Sequence, residues 1–293
     1  MTNNKNTPKV IIRFKGGLAN QVYQLAAGLY LANLLQLQLY YSDVYFRYIQ
    51  NSRDLVVPSI YDKKILLRTE FPFGIALGRT PLRMLRKLLP WDSMTGRQVV
   101  ICDKFFKSLV HEGVGSLKPA LNRGQDIILD GYFHIDTVLQ DSGVLELVDI
   151  FSHQKNESCG IHVRLGDYLN SPYNRIYRLV DEHYISSAYA HLLRLGMNES
   201  APVKIFSDSP EQAFKIVKRA IPLATVFLEP SRSSLADLRQ LSSCRFLILS
   251  NSTFSLLSWH LSRTSLGVIP AQWFQMADTD LEQFPISSRL IRI

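Results

Sequence analysis

The chain has 293 residues, 46% hydrophobic and 20% charged, an ordinary soluble globular composition. That length predicts one large domain or two of moderate size, with a core that needs no disulfide or metal staple. The net charge of +8 points to anionic partners. There is no arm-like run of adjacent Lys and Arg, no zinc-ligand set and no RRM-type motif, so nucleic acid is not an expected partner.

Met1–Pro8 is polar and lacks the apolar core of a signal peptide. Val10–Phe14 (VIIRF) reads as a first strand, followed by Gly16-Gly17-Leu18-Ala19-Asn20-Gln21 and a helical stretch from Val22 to Leu35. A strand, a glycine turn and a helix make half of a βαβ unit. The glycines either form a tight turn needing positive φ or let the backbone approach a ligand at the helix N-terminus. Asn20 and Gln21 add two amides at that place. Val22–Tyr41 carries no charge, but Gln24, Asn33, Gln36 and Gln38 interrupt it and Leu37, Leu39 and Tyr41 alternate. It is expected to be a buried helix followed by a second strand, not a membrane span.

Ser42–Gln98 is irregular and rich in Tyr, Arg and Pro. Tyr45, Phe46, Arg47 and Tyr48 lie close together there, and such aromatics either stack on sugar rings or fill a core. In Thr80–Trp91 (TPLRMLRKLLPW), Thr80 and Pro81 suit a helix start, with leucines on one face and Arg83, Arg86 and Lys87 largely on the other. Such a basic amphipathic helix packs its leucines on its own domain or lies on an anionic membrane. Val99–Cys102 and Asp126–Phe133 read as further strands and Thr137–Val148 as a helix. Phe151–Glu157 is polar and is expected to hold the domain boundary, dividing the chain into 1–155 and 156–293.

From Gly160 the pattern is regular. Strands are predicted at Gly160–Val163, Val203–Phe206, Thr225–Leu228, Phe246–Leu249 and Leu266–Ile269, with helices at Glu182–Leu195, Pro210–Arg219, Ser234–Leu241 and Phe254–Leu261. The alternation implies a parallel doubly wound sheet, which binds ligands beyond the carboxyl ends of its strands. Those ends carry His162, Arg164 and Asp167, then Ser207 and Asp208, then Ser250 to Ser255 (SNSTFS). Arg presents a planar fork matched to phosphate oxygens. Three hydroxyls at a helix start cap it or cradle a phosphate, and the nearby Arg strand end favours the cradle. Asp208, which a phosphate would repel, is expected to meet a guanine base or a ribose, or to cap the following helix. Cys102, Cys159 and Cys244 each border an apolar run and are expected to be buried, reduced thiols of a cytosolic protein. Asp278-Thr279-Asp280 matches D-x-D but reads as a helix start. No metal site is expected.

Four blocks together resemble the α-1,2-fucosyltransferases of glycosyltransferase family 11. They are GGLANQVYQLAAG (Gly16–Gly28), GIHVRLGDY (Gly160–Tyr168), FSDSPE (Phe206–Glu211) and CRFLILSNSTFSLLSWHLS (Cys244–Ser262). GYF at Gly131–Phe133 and PAQWF at Pro270–Phe274 keep the family's order. The chain departs from the pattern at Leu165, where HVRRGDY has a second Arg, at Ala19 for a Gly, and at Leu256-Leu257 for an aromatic pair. The resemblance implies a GT-B-like fold, two Rossmann-like domains with a donor cleft between them. The N-terminal domain would lie on the acceptor side and the C-terminal one would bind the nucleotide sugar, with the last residues packing back on the first domain. It implies inverting transfer of L-fucose from GDP-β-L-fucose to O2 of a terminal galactose, with no cofactor or metal. The acceptor would be an oligosaccharide on a lipid carrier in a bacterial surface polysaccharide (O-antigen) pathway. The enzyme would be cytoplasmic or peripheral on the inner face of the plasma membrane, touching it through Thr80–Trp91.

By the same resemblance Arg164 acts at the donor diphosphate, with His162 and Asp167 as the other members of its HxRxxD motif. The residues alone leave two roles open for His162 and Asp167, general base or orienter of Arg164. The resemblance also places Asn20 near the donor pyrophosphate and fucose, and Asn251, Ser252, Thr253, Phe254 and Ser255 at the phosphates. From their positions at the glycine turn and at a strand end, Gly16, Gly17, Gln21, Ser207 and Asp208 are expected to bind the donor as well. The alternatives are a related transferase with another nucleotide-sugar donor, or a non-catalytic nucleotide-sugar or membrane-associated binding module.

Overall fold

The structure is a computed structural model that describes residues 7–48, 53–61, 66–69, 98–147, 156–169, 173–229, 233–274 and 287–293. Thr80–Trp91 and Asp278–Asp280 lie outside the described residues. The chain divides into two compact units, Met1–Val148 and Asp149–Ile293.

The first unit holds a five-stranded parallel sheet of β1 (Val10–Arg13), β2 (Leu39–Ser42), β3 (Leu66–Arg68), β4 (Gln98–Ile101) and β5 (Asp126–Leu129). Their spatial order is β3-β2-β1-β5-β4. The apolar runs of β1 and β5 are buried because they occupy the middle of the sheet. The helix Leu18–Leu35 lies against β1, and 13 of its 18 residues are buried, which explains its lack of charge. Contact is close at Gly28, where an added Cβ would stand 2.7 Å from Ile12 Cγ1 and 3.0 Å from Leu39 Cδ1.

Two expected elements are shorter than their apolar runs. The strand of Asp126–Phe133 ends at Leu129, because Asp103 Oδ1 takes the backbone N–H groups of Tyr132 (2.8 Å) and Phe133 (2.6 Å) and pulls the chain into a turn. The helix of Thr137–Val148 is two short helices, Asp136–Asp141 and Val144–Leu147, separated at Gly143 with φ +70°.

The second unit holds a six-stranded parallel sheet. Its strands are β6 (Asn156–Val163), β7 (Val203–Ser207), β8 (Val226–Leu228), β9 (Cys244–Ile248), β10 (Leu266–Ile269) and β11 (Leu290–Arg292), in the order β11-β10-β9-β6-β7-β8. Helices Glu182–Arg194, Pro210–Ala220, Ser234–Ser243 and Thr253–Ser262 connect them. Strand alternation sorts β6 onto two cores. Cys159, Ile161 and Val163 join one with Ile185, Leu192 and Val217. On the other face Gly160 makes room for its neighbours, since a Cβ there would stand 2.8 Å from Leu241 Cδ1. Successive strands leave β6 in opposite directions, toward β7 and toward β9, so the carboxyl ends of these three strands meet at the topological switch point.

Cys159 and Cys244 are buried free thiols as expected, whereas Cys102 is exposed. The correction is local: β4 ends at Ile101 and Cys102 is the N-cap of the helix Asp103–Glu112, at its solvent end.

Candidate functional site

The switch point of the second unit gathers the expected strand-end residues. β6 ends at Val163, and Arg164 follows at once. Its Nη2 bonds Asp167 Oδ1 at 2.5 Å and its Nη1 bonds Asp208 Oδ2 at 2.7 Å. The two carboxylates thus grip the guanidinium from both sides. Asp208 has a second task, accepting the Leu165 backbone N–H at 3.0 Å through Oδ1. It also lies where a Cβ on residue 166 would go, which explains Gly166. The expectation that Asp208 caps the next helix gives way to this arrangement. Ser209 is the N-cap of Pro210–Ala220, and Ser207 Oγ takes the Ser209 N–H at 3.0 Å.

His162 takes a different role from Arg164 two residues on. It is buried, with Nδ1 2.8 Å from Ser250 Oγ and 2.7 Å from Ser255 Oγ, and those hydroxyls are 3.1 Å apart. Burial, with the Arg164 charge second, pushes its pKa down to about 3, so the imidazole is neutral at physiological pH. The histidine ties the end of β6 to the turn after β9.

That turn is SNSTFS, and the structure divides its six residues by task. Ser250 and Ser255 are spent on His162. Asn251 is buried and donates its Nδ2 to the carbonyls of Arg178 (2.5 Å) and Trp273 (2.7 Å), while its Oδ1 meets no partner among the described residues. Ser252 caps Thr253–Ser262 by accepting the Phe254 N–H at 3.3 Å. Thr253 and Phe254 are half-buried. The Ser252 N–H is likewise taken, by the Ser250 carbonyl at 2.8 Å. What the helix start beside Arg164 presents to an anion is therefore chiefly its dipole, whose positive end suits negative charge.

An aromatic stack borders the same strand ends and was not expected as a unit. The Arg164 guanidinium carbon lies 5.5 Å from the centre of the Tyr168 ring. Tyr168 stacks on Tyr177 at 4.2 Å with 4° between planes, and its hydroxyl donates to the Asn251 carbonyl at 3.2 Å. Tyr168 belongs to GIHVRLGDY, but nothing in the spacing announces Tyr177 as its partner.

In the first unit, Gly16 adopts φ +79°, and a Cβ there would stand 2.7 Å from Asn20 Nδ2. Asn20 Oδ1 lies 3.0 Å from His134 Nε2. His134 is nearly stacked on Tyr132 at 5.6 Å and meets Tyr23 edge-on at 5.1 Å. Burial pushes its pKa down to about 4, against the opposing pull of Asp103 and Asp136. His134 was not among the expected site residues; its only sequence signal is its position after GYF. Gln21, expected at the donor, is fully buried and committed to the chain. Its Nε2 donates to the carbonyls of Gly16 (3.1 Å) and Asp54 (2.9 Å), and its Oε1 accepts the N–H groups of Val56 (2.9 Å) and Val57 (3.2 Å). It clamps the glycine turn to the segment 54–57. Gly17 is the N-cap of Leu18–Leu35, with the Arg53 guanidinium against it.

No group of three or more His, Cys, Asp or Glu side chains arranged to hold a metal occurs among the described residues. No described helix is long and apolar enough to cross a membrane.

Two parallel α/β units are the architecture of the GT-B fold. Residues 135–281 match the model of glycosyl transferase family 11, and the chain belongs to that family. Among solved structures it is similar to an Arabidopsis thaliana FUT1 variant in complex with GDP. That likeness has 13% identity and a TM-score of 0.54, and covers 92% of this chain and 71% of that one. It is also similar to the fucosyltransferase NodZ from Bradyrhizobium (16%, 0.48, 87% and 92%) and to E. coli heptosyltransferase WaaC with ADP (11%, 0.47, 97% and 92%). At these identities the likeness is one of fold. No curated protein sequence matches the chain.

Proposed function

We propose that the chain transfers L-fucose from GDP-β-L-fucose to O2 of a terminal galactose with inversion, on an oligosaccharide acceptor of a bacterial surface polysaccharide. Family membership supports glycosyl transfer. The observation that carries the mechanism is the Arg164 fork, gripped by Asp208 at the carboxyl end of β6 beside the start of Thr253–Ser262. In the reaction the fucose C1–O bond breaks and its electron pair goes to the β-phosphate. The acceptor O2 forms the new bond to C1 from the opposite face, and its proton passes to a base. Negative charge grows on the departing phosphate, where preorganised donors act most strongly. Arg164 supplies them, beside the positive end of the Thr253–Ser262 dipole. His162 is a weak base, engaged by two hydroxyls, and orients the turn; Asp167 is the remaining expected candidate for the proton. The cytoplasmic setting, with membrane contact through Thr80–Trp91, belongs to the same proposal.

The test is GDP release from GDP-fucose with and without lactose. Release that depends on lactose supports the reading. Release without an acceptor, or none at all, opposes it. A second reading, transfer from another nucleotide sugar, is favoured by one observation: both oxygens of Asp208 are taken by Arg164 and the Leu165 N–H, leaving guanine to be read by other groups. Equal binding of GDP, UDP and ADP in calorimetry would favour it.

A further inference from the structure

Arg164 stands between two carboxylates, one guanidinium against two negative charges. Leu165, at the place of the second Arg in HVRRGDY, adds no charge. A diphosphate approaching this arrangement meets a fork whose Nη1 and Nη2 each already hold a carboxylate of its own sign. Those two positions open to a phosphate only if a carboxylate moves, and Asp167 is the more exposed of the two, at 39% against 27% for Asp208. Asp208 is fixed by the Leu165 N–H as well as by Arg164, and is packed against Gly166. Asp167 stands on a single turn of 3₁₀ helix, Gly166–Leu169, and its side chain is 39% exposed. A carboxylate and a phosphate present the same kind of acceptor to an Arg fork.

We propose that Asp167 occupies the phosphate position on Arg164, and that a donor diphosphate oxygen replaces it there while Asp208 keeps the guanidinium oriented. The idea rests on the reading of Arg164 as a diphosphate ligand. Asp167 is then an affinity-setting residue. It holds the Arg164 Nη2 position and competes there with the product GDP, easing its release.

The experiment is a double-mutant cycle read by calorimetry, with GDP and with inorganic pyrophosphate as a probe that lacks the base. Asp167→Asn keeps the size and removes the competing charge. Binding of both probes should tighten by about 3- to 30-fold, the range of a partly exposed ion pair plus the repulsion relieved. Asp167→Ser serves as a second variant should Asn disturb the turn, with circular dichroism to confirm the fold. In an Arg164→Gln background the same change should shift binding by less than about twofold, because the contested fork is gone. Weaker binding in Asp167→Asn and Asp167→Ser would overturn the proposal, as would equal tightening in both backgrounds. A cycle that closes for pyrophosphate while GDP binds no better than UDP would sink the guanine reading and leave the exchange intact. Failure of both probes to bind the wild type and both Asp167 variants would overturn both.

Discussion

At the scale of single residues, Arg164 and His162 share a strand end and divide the work between them. Lysine at 164 would keep the charge but offer one flexible contact in place of a fork. Arg164→Lys is therefore expected to lower kcat by roughly 10²–10³ while donor affinity changes far less. Near-normal turnover would make Arg164 an ion-pair partner alone, and loss of fold would make it structural. His162 and His134 carry a second prediction. Burial lowers both values, to about 3 and about 4, below the ordinary histidine range near 6.5. Between those limits the unfolded chain binds protons that the folded chain refuses, so stability falls as pH drops from about 6.5 toward 4. The melting temperature should decline across that window, and His162→Asn should flatten the decline. An unchanged slope would mean that the imidazole is charged inside the fold or exposed.

At the scale of elements, the legible features are those that a repeating pattern writes into the chain. The strand and helix alternation after Gly160 gives the parallel sheet and places Arg164, Asp208 and the SNSTFS turn at one edge. What pairs with what at that edge is set by tertiary contact. Ser255 reads as a hydroxyl at a helix start, and it does lie in the first turn of Thr253–Ser262, yet it is turned to His162 at the end of β6. Gln21 reads as an amide near a ligand, but the segment 54–57, far off in sequence, uses all of it. Cys102 borders an apolar strand and is exposed because the strand stops one residue earlier. Gly28 tests the packing of the charge-free helix. Alanine normally favours a helix over glycine by about 1 kcal/mol, but here its Cβ would press on Ile12 and Leu39. Gly28→Ala should destabilise the protein by about 1–3 kcal/mol in urea denaturation, the usual range for overpacking. A gain in stability would show that the helix can shift away from β1.

At the scale of the whole molecule, fold and family are settled together by the two parallel sheets and the match over residues 135–281. Donor and acceptor depend on side-chain chemistry that a strand pattern does not encode, which is why the resemblance of four motifs carries that part of the reading. Cationic side chains and a helix start can neutralise a diphosphate without a divalent ion. Turnover should therefore persist in EDTA, and loss restored by Mn²⁺ would return attention to Asp278 and Asp280. The most direct test of inverting fucosyl transfer is proton NMR of the product formed from GDP-β-L-fucose and a galactoside acceptor. Inverting transfer gives an α-linked fucose on galactose O2 with stoichiometric GDP; a β-linked product, or transfer only from a different nucleotide sugar, would overturn the assignment.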